Sequence, residues 1–185
     1  MQELFKKWLE QIGEDTTREG LKDTPRRVEE ALTYLTRGYK QDIDALIREA
    51  IFEVEANHMV IVRDIEIYSL CEHHLLPFYG VCHIGYIPRG KVLGVSKLAS
   101  IADAFAHRLQ LQERLTNQIA RTLMDSILPE GVGVIIEARH LCMMMRGVEK
   151  QHSKMVTSAM LGSFHDSAAT RNEFLQLVHA PASPS

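Results

Sequence analysis

Two short clusters hold most of the metal-binding and proton-transfer chemistry that this 185-residue chain offers: Cys71-Glu72-His73-His74, and far down the chain His140-Leu141-Cys142. Together they supply two thiolates and three imidazoles. Zinc takes cysteine sulfur and histidine nitrogen in a tetrahedron, and a catalytic site uses three protein ligands so that water can hold the fourth position. Cys71, His74 and Cys142 make such a set. Adjacent histidines on an extended segment point to opposite sides, whereas Cys71 and His74 can converge across one tight turn, which leaves His73 as the spare. His140 and Cys142 are two apart, so on a strand both face the same way, and only one of them need bind metal. The same groups also suit a closed structural site using four of the five, or a buried cysteine among satisfied core histidines. The paired CxxC knuckles of structural sites are absent, which favours the open, catalytic zinc.

The elements that carry these clusters read in the order helix, helix, strand, strand, helix, helix, strand, strand. Leu4, Phe5, Trp8, Leu9 and Ile12 form a helical stripe that stops at Gly13. Thr24-Pro25 opens a second helix with Val28, Leu32 and Leu35, ended by Gly38. Met59 to Leu70 is rich in β-branched residues, and Gly80 to Ile87 is expected as its partner strand, so the first cluster sits at the connection between them. Leu98, Ile101, Ala102, Phe105 and Leu109 mark a helix entered through Ser96, and Leu115, Ile119 and Leu123 mark the next. Val132–His140 and Ser153–Leu161 complete the strands. The expectation is an α+β domain, an antiparallel four-stranded sheet with a helix pair on one face. Residues 1–50 form an N-terminal helical extension, 51–179 the catalytic domain, and 180–185 a disordered tail.

Composition narrows the function classes. With 45% hydrophobic residues the chain can bury one good core. A net charge of -3 speaks against a general nucleic-acid or membrane binder, so an anionic substrate has to be held by a local cluster of Arg and Lys. No apolar run approaches a membrane span and the N-terminus lacks a signal-peptide pattern, which leads us to expect a cytoplasmic protein. Only three cysteines occur, which fits a reducing compartment, and the third, Cys82, reads as a packed strand residue.

At this point several separated motifs, in order, resemble GTP cyclohydrolase I. They are Ser-Leu-Cys-Glu-His-His-Leu-Leu-Pro-Phe over 69–78, His-Ile-Gly-Tyr-Ile-Pro over 83–88 and Val-Leu-Gly-Val-Ser-Lys-Leu over 92–98. Then come Arg-Leu-Gln-Leu-Gln-Glu-Arg-Leu-Thr over 108–116, His-Leu-Cys-Met-Met-Met-Arg-Gly over 140–147 and Thr-Arg-Asn-Glu-Phe-Leu over 170–175. The helical extension fits too, through Gly13-Glu14-Asp15, Arg18 to Leu21 and Asp23 to Val28. The resemblance implies the tunnelling fold, a homodecamer of two pentameric rings, and hydrolysis of GTP to 7,8-dihydroneopterin triphosphate with loss of formate. It implies Cys71, His74 and Cys142 as zinc ligands, His73 and His140 as acid–base residues, and Glu113 with Gln112 as guanine readers. Ser96, Lys97, Arg27 and Arg146 match positions near the ribose and triphosphate.

The chemistry suits those assignments. Opening the guanine imidazole requires water to add at C8, and zinc lowers the pKa of water to about 7. N7 must then gain a proton, a task for a group titrating near neutrality such as His140, while His73 can serve the ribose steps. One carboxylate, Glu113, can accept from both N1–H and the 2-amino group, a pattern adenine lacks. One departure stands out: after Ser96-Lys97-Leu98-Ala99 the family usually shows a triphosphate-binding arginine, and here the residue is Ser100. A substrate with fewer phosphates is the alternative this suggests. Two other classes are a non-catalytic zinc protein of the same fold, and a nitrile reductase of the 7-deazaguanine type, which needs a reactive cysteine away from zinc. Cys82 is the only spare thiol for that role.

Overall fold

The computed structural model describes residues 1–181, so most of the expected tail, from 182 on, lies outside the described residues. Three helices come first: α1 (Gln2–Gln11), α2 (Thr24–Leu35) and, after a 3-10 turn, α3 (Ile43–Arg48). Pro25 sits in the first turn of α2, where its missing N–H costs nothing, and Asp42 caps α3 by accepting from the Ala45 N–H at 2.9 Å. There follow β1 (Ile51–Glu53), β2 (Val60–Cys71), β3 (Pro77–Ile87), β4 (Lys91–Leu93), α4 (Val95–Ala106), β5 (Leu109–Gln110) and α5 (Gln112–Ile127). The chain ends with β6 (Gly131–His140), α6 (Leu141–Met144), β7 (Met155–Gly162), α7 (Ser163–Asp166) and α8 (Ala168–His179).

The main sheet has the order β5-β2-β3-β6-β7, with β1 and β4 forming a separate two-stranded ribbon. Its four long strands are antiparallel, as expected, but the sheet is five-stranded and mixed because β5 pairs parallel to β2 through Leu70–Leu109 and Cys71–Gln110. Leu109 continues the apolar spacing of α4, which hides the break in the sequence. The helix nevertheless stops at Ala106, whose carbonyl accepts from Ser69 Oγ at 2.6 Å, and the released chain joins the sheet edge.

Alternation along β6 divides the core into two layers. Val132, Val134, Ile136 and Ala138 face α4 and α5, packing with Ile67, Phe78, Ile84, Leu98, Leu115 and Ile119. Ile135 points to the opposite face, where Phe164, Phe174 and Val178 of α7 and α8 cover one end. That second layer departs from the expected single helix pair. It depends on Gly85 and Gly133, register partners on β3 and β6: a Cβ on Gly85 would lie 2.7 Å from the Phe174 ring, and one on Gly133 2.6 Å from Phe164.

β2 also carries a bulge. The register slips between Val62 and Ile65, and Asp64 takes φ 61, an uncommon conformation for a non-glycine residue. The Asp64 N–H, turned out of the ladder, donates to Nδ1 of buried His83 at 3.1 Å. Beside it, Arg63 donates to the carbonyls of Leu177 and Ala180 and so ties the end of α8 to the bulge.

Candidate metal centre and active site

The two clusters meet because β2 and β6 flank β3 and finish at the same end of the sheet. Cys71 is the last residue of β2, His140 the last of β6, and Cys142 lies in the single turn of α6 that follows. Phe78 at the start of β3 pairs with His140 in register, and the two rings stack with centroids 4.5 Å apart and planes at 5°. The ligand atoms of Cys71, His140 and Cys142 lie within 4.8 Å of one another. Two soft sulfurs and an imidazole nitrogen are a donor set that suits zinc. The Cys142 thiol is pushed up by burial first and then by the neighbouring Cys71 sulfur.

His140 and Cys142 therefore converge by a different route from the strand spacing: the strand ends at His140, and the following turn brings Cys142 back. The turn after Cys71 also forms. The Leu75 N–H donates to the Cys71 carbonyl at 2.8 Å, that of His74 to the same oxygen at 3.3 Å, and Leu75 has φ 55. On this turn the rings of His73 and His74 are both exposed, edge to face at 6.1 Å, and His74 stands outside the thiol–imidazole group.

Around this centre, Glu113 is exposed in the first turn of α5, and its carboxylate pulls the His140 pKa up against the dominant effect of burial, which lowers it. Arg146 follows α6 and lies near enough to favour the Cys142 thiolate. Gln112 is fully buried, and its side chain is engaged at both ends. Its Oε1 lies 2.9 Å from His140 Nε2, while Nε2 donates to the carbonyls of Ile136 and Met155, each at 3.0 Å. Nothing in the amino-acid order distinguishes this buried glutamine from exposed Glu113 beside it.

A neighbouring arginine fastens this turn. Arg114 donates to Gln110 Oε1 at 3.0 Å and to the Leu109 carbonyl at 2.8 Å, and its guanidinium closes on the carboxylate of Glu72. The Glu72 N–H in turn donates to the Gln110 carbonyl at 3.1 Å.

Three further candidates stand apart. Ser96 and Lys97 open α4, directly after β4, whose Leu93 N–H donates to Tyr86 Oη at 3.1 Å. Tyr86 and Phe78 sit at opposite ends of β3, separated by about 27 Å at roughly 3.4 Å per residue. Ser96 and Lys97 thus lie at the end of the sheet remote from Cys71 and His140. Arg27 is exposed on α2, 3.5 Å from Asp23. Cys82 is completely buried in β3 and burial pushes its thiol far up, which removes it as a nucleophile.

The fold and the site together define an α+β enzyme with a metal-competent thiol–imidazole centre at one end of its sheet. The family model for GTP cyclohydrolase I matches residues 1–179. The chain is 56% identical over 178 residues to "GTP cyclohydrolase 1" of Methylococcus capsulatus, covering 96% of each chain. It is 59% identical over 172 residues to the protein of that name from Hahella chejuensis, covering 93% of this chain and 92% of the relative. With that from Leptospira biflexa it shares 58% over 178 residues, or 96% and 97% of the two chains. This chain belongs to the GTP cyclohydrolase I family and is a hydrolase. Among solved structures, an archaeosine synthase QueF-Like in the apo form overlaps with a TM-score of 0.47 at 19% identity, covering 56% of this chain and 93% of that one. No helix among the described residues is long and apolar enough to cross a membrane.

Proposed function

We propose that this chain is a zinc-dependent GTP cyclohydrolase, which opens the guanine imidazole of GTP by hydrolysis, releases C8 as formate and forms 7,8-dihydroneopterin triphosphate. The observation that carries this is the convergence of Cys71, Cys142 and His140 beside Glu113 in a chain matched by the family along its length. Cys71 and Cys142 would hold the metal together with His74, which is exposed on the turn that begins at Cys71. Bound zinc supplies Lewis acidity that brings the pKa of water to about 7, so a nucleophile for C8 is available at neutral pH. His140 delivers a proton to N7 as the C8–N7 bond breaks, and His73 moves protons on the sugar side as the ribose opens and C2′ closes onto nitrogen.

Glu113 reads N1–H and the 2-amino group. Gln112 beside it is engaged through its side chain by Ile136, Met155 and His140 and supports this guanine-reading end from within the protein. Ser96 contacts the ribose and triphosphate region, and Lys97, Arg146 and Arg27 hold the phosphates. The same reading makes residues 1–50 a helical extension, 51–179 a tunnelling-fold catalytic domain, and the working enzyme a cytoplasmic homodecamer of two pentameric rings. The distance of Ser96 and Lys97 from Cys71 supports assembly, because one chain does not gather all of these groups.

The proximity of the His140 ring to both thiols favours a second reading of the metal shell, with His140 as third ligand in place of His74. Metal analysis of purified variants separates the two. Cys71→Ser and Cys142→Ser should lose zinc and formate release together, since three ligands leave no redundancy. His74→Ala should lose zinc while His140→Ala keeps it and loses turnover; the reverse pattern assigns His140 to the metal. Ser100 supports the alternative of fewer phosphates. A clear preference in formate release for GTP over GDP, GMP and guanosine sustains the triphosphate reading, and equal turnover of GMP overturns it.

A further inference from the structure

The side chain of Gln112 makes a complete hydrogen-bond account that fixes more than its own position. Its Nε2 faces three acceptors: the Ile136 carbonyl at 3.0 Å, the Met155 carbonyl at 3.0 Å and Thr157 Oγ1 at 3.1 Å. Two of these are backbone oxygens that can only accept, so the amide cannot be turned over without setting Oε1 against them. The threonines agree with this orientation. Thr116 Oγ1 donates to the Gln112 carbonyl at 2.7 Å, so at its 2.7 Å contact with Thr157 Oγ1 it accepts, and Thr157 keeps a lone pair for the amide. With the amide fixed, Oε1 is the atom 2.9 Å from His140 Nε2. An amide oxygen has no proton to give, so the imidazole must donate.

We propose that Gln112 is a positioning residue that holds His140 as the Nε2–H tautomer, so that the lone pair His140 brings to the site is on Nδ1. The stacked, fully buried ring of Phe78 holds the plane of the imidazole, and Gln112 sets its rotation and its proton. Two ring nitrogens of a neutral histidine are distinct, and the hydrogen bond made by one decides what the other can do. Proton transfer, or coordination should His140 be a metal ligand, then runs through Nδ1: that nitrogen takes up the proton released as water adds at C8 and passes it to N7. This also separates Gln112 from Glu113: the two are adjacent in sequence, but one works on the protein's own imidazole and the other on the base. The inference rests on the reading of His140 as a participant in guanine ring opening.

Three measurements test it. In protein labelled with 15N-histidine, the His140 signals, identified by their loss in His140→Ala, should show the proton on Nε2 with or without zinc. Gln112→Met, which keeps the length and removes the acceptor, should abolish that preference. A proton on Nδ1 in the unsubstituted protein overturns the proposal. In kinetics, Gln112→Met should lower kcat for formate release by about tenfold or more while KM for GTP stays within about twofold, as for an interaction felt in the chemical step. A raised KM with unchanged kcat would return the side chain to base reading and overturn the proposal. Finally, Gln112→Met in the His140→Ala background should change the residual rate by less than about twofold, because a residue acting through another has nothing left to act on. Independent, multiplying losses would mean that Gln112 only supports the fold. If His140→Ala keeps full turnover, the functional reading of His140 fails, and the labelled spectrum still decides the tautomer.

Discussion

Glu113 carries the sharpest prediction at the level of single residues. Its carboxylate is exposed at the start of α5 and within electrostatic reach of His140. Glu113→Gln keeps the shape, removes the charge and turns a donor toward the edge of guanine. A charge-assisted hydrogen bond contributes roughly 1.5–3 kcal/mol, so KM for GTP should rise about tenfold to a hundredfold with zinc content unchanged. An unaltered KM would make Glu113 a solvated helix-start residue. At this scale the residue types of the candidate site were legible, because the chemistry of Cys71, Cys142 and the histidines is visible without coordinates, but which imidazole lies beside the two thiols was not: the fold brings His140 there and leaves His74 outside. The burial of Gln112 was not legible either. Glutamine beside glutamate at a helix start looks equally exposed, and only the register of β6 with β7 shows that two carbonyls wait for its amide.

Among the elements, the turn 71–76 carries Cys71, His73 and His74, and Arg114 is what fastens it to β5 and α5. The guanidinium is 41% exposed and the Glu72 side chain 30%, so the pair alone contributes only about 0.2–1 kcal/mol. Arg114→Ala should therefore weaken zinc retention against a competing chelator by only a few-fold, and Arg114→Lys, which cannot span all three acceptors, should recover part of it. Full retention by the alanine variant would show that the backbone bonds of the turn suffice. The element order was largely readable from periodicity, including both long hairpins. The short elements α3, β1, β4, β5, α6 and α7 escaped it, and so did two larger features. The stripe of α4 runs on through Leu109 although the helix ends at Ala106, because tertiary contact with Ser69 stops it. Helix α8 was missed although Ser167 caps it, accepting from the Thr170 N–H at 3.2 Å; its mixed face against the sheet gives little apolar spacing.

Taken whole, the molecule keeps Glu113 at the start of α5 and Ser96 and Lys97 at the start of α4 near opposite ends of β3. If those groups serve one substrate, they come from different copies. Glu113→Ala and Lys97→Ala proteins, each nearly inactive, should regain formate release when unfolded and refolded together, through mixed assemblies that combine an intact end from each. No recovery would place a complete site within one chain. The bulge on β2 has a consequence of another kind, for acid tolerance. His83 accepts from the Asp64 N–H and therefore has to stay neutral. Burial is the main cause that lowers its pKa, Asp64 and Glu137 partly oppose this, and His179 and Arg63 add to the lowering. The unfolded chain takes up the proton near the ordinary value of 6.5 and the folded one only at lower pH. The stability contributed by neutral His83 is thus present above that value and erodes as the pH falls through the folded pKa, with a slope of up to about 1.4 kcal/mol per pH unit. Urea midpoints measured from about pH 8 down to 5 should fall in this window, and His83→Gln, which can still accept from Asp64, should flatten the fall. Activity lost in mild acid would then come partly from loosening of a strand far from any reacting atom, and it should return on neutralisation.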